Sequence, residues 1–542
     1  MNKIAHYLQG HIAGEVTSNP DARRYFAHDA SILEIVPTAI VYPRNENDVR
    51  KSIRFAWQLA GRGRKLPITP RGMGSGTSGS AIGSGIVLVF PAHMNKVVSL
   101  DTKKRTMSAQ PGANFGALLQ MLQTHGLFLP PYPASKDYAT IGGAVANNAI
   151  GEKSVKYGAM ADFVQSLRVV LSNGELIETG PLSQKELSHK MGLQTLEGEI
   201  YRLIDALLEE NAHLLPVGRE RLKARFSSIG YNIFDVKKNG QFDLTPLFTG
   251  SLGTLGVITE VTFRVAPHHP RTTQMLVSLE ELEDLGDILP SLLDLKPSMA
   301  DMLSRAAVQQ ILELNPNQLS DLSMPHEAFM HLFIEFDDSK EADRKKKVKH
   351  LQKIVDGLGA WSEVYEDLQS QERLRKLSGS VAILLQPQGP AVATPIAEDI
   401  SVPVDKLADF LKKIQLVYRE VGLPPALWGQ AGIGVVRMWP ALDLGQTGDR
   451  QKLFKIQGSL YAAAVRHGGS ISASAGDGRV RAPYSPMVYG PEVHALMLSV
   501  KKIFDPRGIL NPGVKTASTE EIKVLMRSSY SLSNFYDYLP RS

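Results

Sequence analysis

Two stretches of this chain concentrate residue types that bind ligands more often than they fill cores. The first, PRGMGSGTSGSAIG from Pro70 to Gly83, holds five glycines in fourteen residues. Glycine has no Cβ, so successive N–H groups can converge into a concave nest that receives phosphate oxygens. Arg71 would add charge there, and Ser75, Thr77 and Ser78 would add hydroxyl donors. Gly74 to Gly79 spell G-x-G-x-x-G, a dinucleotide signature only where a strand leads in and a helix leads out. Here SAIGSGIVLVF runs into another strand, and no Gly-Lys-Ser/Thr follows, which excludes a P-loop. Taken alone, the stretch fits a tight turn as well as a phosphate cradle. The second stretch, PASKDYATIGGAVANNAIGEKSVKYG (133–158), adds a Gly-Gly pair and the adjacent Asn147 and Asn148. Their amides, once buried, need partners from a polar ligand or from an internal turn network.

The elements that must carry these loops alternate between strand and helix. AIVYP (39–43) reads as a strand, and Asn47-Asp48 offers a cap for a helix through Ala60. LPIT (66–69) and GIVLVF (85–90) are strands on either side of the glycine stretch. A strand at 106–110 and a helix at about 114–125 follow. SLRVVLSNGELIETG (166–180) has a hairpin pattern, with Asn173-Gly174 supplying positive φ. A helix at 198–210 and the alternating strand VITEVTFRV (257–265) complete the first half.

After APHHP (266–270) a strand–helix–strand theme recurs: FMHLFIEF (329–336), a helix over 342–358, AWSEVYE (360–366). SVPVDKLADFLKKIQLVYREVG (401–422) is a strand leading into a helix. LWGQAGIGVVRMWP (427–440) is a strand with an irregular start, and 451–467 is a helix. This is the pattern of a mixed sheet with helices on one side. The residues after Lys515 are polar and aperiodic.

The chain has 542 residues, 43% hydrophobic and 21% charged, as a soluble globular protein does. It contains no cysteine, which excludes disulfides, thiolate iron–sulfur clusters, cysteine zinc sites and thiol nucleophiles. The net charge of +5 is a mild basic excess. Its densest run, RKKKVKH (344–350), has helical apolar spacing and reads as a solvated helix face, so no nucleic-acid partner is expected. No signal-peptide pattern and no long apolar run is found. The expected location is the cytoplasm, with peripheral contact at the inner face of the membrane left open.

The order PRGMGSGTSGSAIG, ATIGGAVANNAIG, KYG, GSLGTLGVITEVTFRV (250–265) and FDPRGILNPG (504–513) resembles the FAD-linked oxidase family. This is the superfamily of vanillyl-alcohol oxidase and p-cresol methylhydroxylase, and the resemblance is greatest to its D-lactate dehydrogenase and glycolate oxidase subunit branch. It runs from about residue 36 to 515. It implies an α+β protein with a two-part FAD-binding domain of the p-cresol methylhydroxylase type and a ferredoxin-like α+β substrate cap. The implied bounds are 1–267 for the FAD domain, 268–490 for the cap, 491–515 for a return segment and 516–542 for a tail. Carried over by position, Arg71, Gly72, Met73, Gly74, Ser75, Gly76, Thr77 and Ser78 would wrap the pyrophosphate. Ser135, Thr140, Gly142, Gly143, Asn147, Asn148 and Gly151 would line the flavin and its ribityl chain. Val257 and Ile258 would touch the cofactor through main chain, and Asn511 would return on the C-terminal segment. Some members tether flavin through a histidine in the first loop; Ser75 stands there, so non-covalent FAD is implied. Leu252 replaces the glutamate usual in GSEGTLG.

The resemblance also implies a lesion. Relatives that oxidise 2-hydroxy acids carry a G-H-x-G-D-G-N-x-H stretch whose two histidines help bind a divalent metal. GQAGIGVVR (429–437) puts Gln430 and Arg437 at those histidines and Ile433 at the aspartate. Relatives also carry G-E-H-G, whose glutamate joins the metal and whose histidine takes the hydroxyl proton. In HGGSISASAGDGRVRAPY (467–484) Ser474 and Ala475 stand instead. An arginine that relatives use for the substrate carboxylate would fall near LRKLSGS (374–380), at Ser378 with Arg375 beside it. No catalytic metal is therefore expected. Candidate replacements are Arg437, Arg479 and Arg481 for an anionic substrate, and His467, the histidine nearest the missing base. Each also has a plain structural reading, for His467 a helix C-terminus.

The resemblance implies an FAD-dependent oxidoreductase acting on D-lactate or a related 2-hydroxy acid, with a quinone, cytochrome or electron-transfer protein as acceptor. A flavoprotein acting on another alcohol or a sugar without metal, and a non-catalytic flavin-binding relay subunit, are the competing readings.

Overall fold

Parallel strands bracket the glycine stretch in the computed structural model, which describes residues 2–317, 324–385 and 390–527. β1 (Glu15–Thr17), β2 (Ala39–Tyr42), β3 (Ile68–Arg71) and β4 (Ile86–Val89) form a sheet in the order β1-β2-β4-β3. β4 runs parallel to both β2 and β3. All of β2 and β4 is buried, which is why AIVY and IVLV read as unbroken apolar runs. The helix Glu46–Gly61 connects β2 to β3. Its cap is Asn45 rather than Asn47: Asn45 has the extended backbone a cap needs, and its side chain accepts the Asp48 N–H.

β5 (Val97–Asp101), β6 (Thr106–Ala109), β7 (Val164–Val170), β8 (Leu176–Glu178) and β9 (Val257–Arg264) make a second, antiparallel sheet ordered β5-β6-β9-β7-β8. In the β7–β8 turn only Gly174 takes positive φ, at 84°. Asn173 instead accepts the Glu175 N–H at 2.9 Å, an Asx-type turn.

The third sheet has seven strands, all antiparallel: β10 (Thr273–Leu279), β11 (Met299–Ser304), β12 (Met330–Phe336), β13 (Trp361–Tyr365), β14 (Ala397–Ser401), β15 (Trp428–Gln430) and β16 (Val435–Met438). Their order is β13-β10-β12-β11-β15-β16-β14. Strand alternation sends Met302, Leu332, Ile334 and Val436 toward the helices Leu282–Asp294, Glu341–Gly357 and Leu407–Val421, in one core. The opposite face carries Asp301, Leu303, Phe333 and Arg437.

Three further sequence expectations shift. The strand expected from 401 lies earlier, at β14, because Glu398 and Asp399 interrupt its apolar pattern. The single strand over 427–440 is a hairpin, folded where Gly434 takes φ 67°. The tail carries a capped helix, Thr519–Leu525, whose capping box joins Ser518 and Glu521; the rest of it beyond 527 lies outside the described residues.

After the helix Pro491–Phe504 the chain returns to the first sheet. Ile68 N–H donates to Ile509 O, and Asn511 N–H to Ile68 O, both at 2.8 Å. The Asn511 amide donates to Ser80 O and Leu252 O, each at 2.8 Å, tying this segment to the glycine loop. Among the described residues no helix is long and apolar enough to cross a membrane.

Candidate functional site

A cavity of about 820 Å³ lies between the glycine loop, the stretch around 132–152 and the open face of the seven-stranded sheet. It falls in the size range of ligand sites, about 300–1,000 Å³. Among the described residues, no N–H group of residues 72–78 has a hydrogen-bond acceptor. The Thr77 hydroxyl and Arg71 Nε are buried without partners. Such orphan donors are rare in folded proteins and imply something to bind. Gly74 has φ 77°, and a Cβ on it would strike the Arg71 guanidinium. Arg71 Nη1 donates to His28 O at 2.7 Å and Ala81 O at 3.1 Å, so this side chain braces the loop from behind. A Cβ on Gly76 would meet no protein atom within 4 Å. This is a cradle whose missing atoms are those of a ligand rich in phosphate oxygen, and the pyrophosphate of FAD fits it.

The second stretch forms one wall. Thr140 caps the helix Ile141–Asn147 by accepting the Gly143 N–H at 3.2 Å. Gly142 lies against Pro111 and Gly151 against the Tyr132 carbonyl, where any Cβ would collide. Asn147 donates to Gly143 O at 2.8 Å. Ser135 and Ile258 also face the cavity. Four of the expected cofactor residues stand behind the lining. Asn148 ends the helix with φ 52° and accepts the Ala161 N–H. Ser78 donates to Ser80, Val257 is buried in β9, and Asn511 makes the ties described above. They shape the cradle from outside it.

The cap side gathers the altered positions. Gln430, Arg437, Ser474 and Ala475 all reach the same cavity, as do Arg375 and Ser378. Register explains part of this: Trp428 pairs with Arg437, and Leu303 with Trp428. The Asp399 carboxylate fixes the 472–475 loop. Its Oδ2 accepts the N–H groups of Ser474 at 2.7 Å and Ala475 at 2.8 Å. Arg437 is half-buried and makes no hydrogen bond or ion pair among the described residues. Among those residues, no group of three or more His, Asp or Glu is placed to hold a metal.

Two other candidates lie elsewhere. Arg479 is buried and donates to Gly79 O, to Ile82 O at 2.9 Å and to Pro512 O at 2.8 Å, clamping the glycine loop to the return segment. His467 follows the helix Thr447–Arg466, with Nδ1 2.7 Å from Ala463 O and its ring against Phe410. Neither faces the cavity. Arg481 is spent on a buried pair with Glu398 at 2.9 Å.

The sequence reading did not single out the cavity's carboxylates: Asp301, Glu398 and Glu152. Each had a faint signal, since Asp301 in SMADMLS and Glu398 in AEDIS are charges inside otherwise apolar strands. Burial raises the Glu398 carboxyl, against the pull of Arg481. Tyr132 donates to Glu152 at 2.6 Å, and burial with that neighbour raises the phenol well above its usual range. Lys153 pairs with Glu335 at 2.5 Å, and Tyr157 donates to Asp337 at 2.6 Å. These two contacts fasten the cradle wall to β12 and the residue after it.

The chain matches the FAD binding domain over residues 37–180 and the C-terminal domain of FAD linked oxidases over 268–514. D-2-hydroxyglutarate dehydrogenase of Escherichia coli is 29% identical over 522 residues, covering 93% of this chain and 50% of that protein. Glycolate oxidase subunit GlcD of Bacillus subtilis is 26% identical, covering 93% and 94%. D-lactate dehydrogenase of Anaerostipes hadrus is 27% identical, covering 90% and 92%. The chain thus spans about half the length of the D-2-hydroxyglutarate dehydrogenase and nearly all of the other two. Among solved structures, substrate-bound p-cresol methylhydroxylase superposes with a TM-score of 0.69 at 15% identity, over 96% of this chain and 97% of that one. The 4-ethylphenol oxidase of Gulosibacter chungangensis gives 0.68 at 14%, over 96% and 97%. The two-part fold of these proteins is the fold seen here.

Proposed function

We propose that this chain, a member of the FAD-linked oxidases, is an FAD-dependent oxidoreductase that oxidises the hydroxyl of a small 2-hydroxy acid. The observation that carries the reading is one cavity with two unlike walls: a cradle of unpaired amides and a cap face bearing an unpaired guanidinium. When bound, FAD supplies the two-electron acceptor for a hydride. The amides of residues 72–78 would hold its pyrophosphate, and the wall from Ser135 to Gly151 would hold the rest. No histidine or cysteine lines the cavity among the described residues, which supports non-covalent binding. Arg437 is the group for the substrate carboxylate, because a guanidinium offers two parallel N–H donors to a carboxylate in a fixed plane. Trp428, which pairs with Arg437, and Trp439 and Phe333 give the same cavity apolar lining. Glu398 lies within electrostatic reach of Arg437 but is paired with Arg481 at 2.9 Å, which leaves the Arg437 guanidinium free for a ligand.

Similarity to the D-2-hydroxyglutarate and D-lactate dehydrogenases and to the glycolate oxidase subunit supports the substrate class, and the acceptor proposed with it is a quinone, cytochrome or electron-transfer protein. An anaerobic titration of FAD-loaded protein tests the reading. D-lactate, glycolate or D-2-hydroxyglutarate bleaches the flavin if it holds. Bleaching by sugars or simple alcohols alone, or by dithionite alone, would overturn it.

A further inference from the structure

Removal of hydride from a carbinol carbon leaves a hydroxyl proton that some group must accept. No histidine faces this cavity among the described residues, and Ala475 stands where a histidine would be expected. Among the described residues three carboxylates line the cavity, and two accept a short hydrogen bond from a charged or phenolic neighbour. Glu398 accepts from Arg481 at 2.9 Å, and Glu152 accepts from Tyr132 at 2.6 Å. The third is different. Asp301 sits at the centre of the seven-stranded sheet, on the face turned to the cradle, and its Oδ1 is buried with no hydrogen-bond partner. The β11–β15 register pairs Met302 with Gly429 and Leu303 with Trp428, so one further step sets Asp301 beside Gln430. The Gln430 Oε1 is itself buried and unpaired, as is Trp439 Nε1. All three residues line the one cavity, which therefore offers a small polar molecule unpaired acceptors on Asp301 and Gln430 and an unpaired donor on Trp439.

We propose that Asp301 is the catalytic proton acceptor of this site, taking the substrate hydroxyl proton on Oδ1 while Arg437 holds the substrate carboxylate, with no metal between them. The inference rests on the 2-hydroxy-acid reading above. The hydroxyl O–H bond breaks and its proton passes to Asp301. The carbinol C–H bond breaks with both electrons on the hydrogen, which leaves as hydride to bound FAD, and the C–O bond becomes C=O. The products are a 2-oxo acid and a protonated Asp301. A guanidinium at the former histidine position repels a divalent cation, so the same residue that grips the substrate disfavours the metal.

The charged and titratable groups facing Asp301 are Glu152, Lys153 and Arg437, with the Gln430 amide and the Tyr132 phenol alongside. Burial first and the Glu152 charge second raise its carboxyl well above the ordinary aspartate range, against the pull of Lys153, Arg437 and a hydrogen bond from the Gln430 amide. A raised carboxyl is a stronger base once ionised, which suits a proton acceptor. The base works deprotonated, so the rate of flavin bleaching rises as pH climbs through the raised value.

The test uses FAD-loaded wild type, Asp301→Asn and Asp301→Glu, with D-lactate, glycolate and D-2-hydroxyglutarate as reductants in anaerobic stopped flow. Asp301→Asn is expected to slow bleaching by about 10²–10⁴-fold, with FAD content and half-saturation unchanged and the acid limb of the pH profile gone. Asp301→Glu restores part of the rate. Wild-type bleaching rates in Asp301→Asn, or an acid limb that persists there, overturn the proposal. A second readout needs no turnover: difference infrared spectroscopy of wild type should show a buried carboxylic acid titrating above the aspartate range, absent from Asp301→Asn. A wild type bleached by none of the three acids defeats the substrate reading instead. The infrared titration still decides Asp301 in that case, since a missing band rejects the raised carboxyl that makes it a base.

Discussion

The two walls of the cavity are built from different materials. The cradle wall is main chain: its donors are the amides of residues 72–78, and its shape comes from glycines that leave room. The cap wall is side chain: Arg437, Gln430 and Asp301 project from strands whose backbone is fully committed to a sheet. A main-chain site is destroyed by adding atoms and barely notices side-chain truncation. A side-chain site is the reverse, and it can be re-equipped one residue at a time. That is how a cap with a glutamine and an arginine at its expected histidine positions can face an undisturbed cradle.

The largest effect that would break this contrast is at Gly76. Gly76→Val adds atoms where no protein atom stands within 4 Å. The apoprotein should unfold within about 0.5 kcal/mol of wild type, while FAD affinity falls about 10²-fold or more, as an overpacked site does. Denaturant melts and fluorescence titration with FAD read the two. An unchanged FAD affinity would mean the cofactor does not lie over this loop. Next is Arg437→Leu on the cap wall. Losing one partner of a charge-assisted pair costs roughly 2–5 kcal/mol, so half-saturation by D-lactate should rise at least about 30-fold, with FAD affinity unchanged. Equal loss of FAD affinity would erase the division between the walls. The smallest effect is Ser75→Ala in the cradle, where the hydroxyl is part-exposed and the amide remains. FAD affinity should change by no more than about 0.5 kcal/mol. A tenfold loss would show that side-chain hydroxyls, and not main chain, do the holding.

The same difference in materials decides what the sequence discloses. A backbone cradle requires glycines at particular spacings, so 70–83 and 139–151 stand out as text. The strands around them are equally plain, because β2 and β4 are buried apolar runs and β9 alternates apolar with polar residues. The cap wall has no such spelling. Arg437 was visible only as an unexpected residue in a familiar frame, and Asp301 looks like one more polar position in SMADMLS. Its importance is a product of register: β11 must pair with β15, more than a hundred residues away, before Asp301 meets Gln430. His467 and Arg479 invite attention as a histidine and an arginine near retained motifs. Folding commits the first to a helix end and the second to three carbonyls. Long-range pairing of that kind is set by packing and cannot be read from neighbours in sequence.

On the proposed function, the cap wall handles a hydroxy acid with Arg437 and Asp301 in place of a metal centre. The direct measurement is the anaerobic bleaching rate of FAD-loaded enzyme with D-lactate, D-2-hydroxyglutarate or glycolate, before and after exhaustive treatment with a divalent-metal chelator. The rate should survive the chelator unchanged and gain nothing from added zinc or manganese. Loss of bleaching that a divalent ion restores would contradict it.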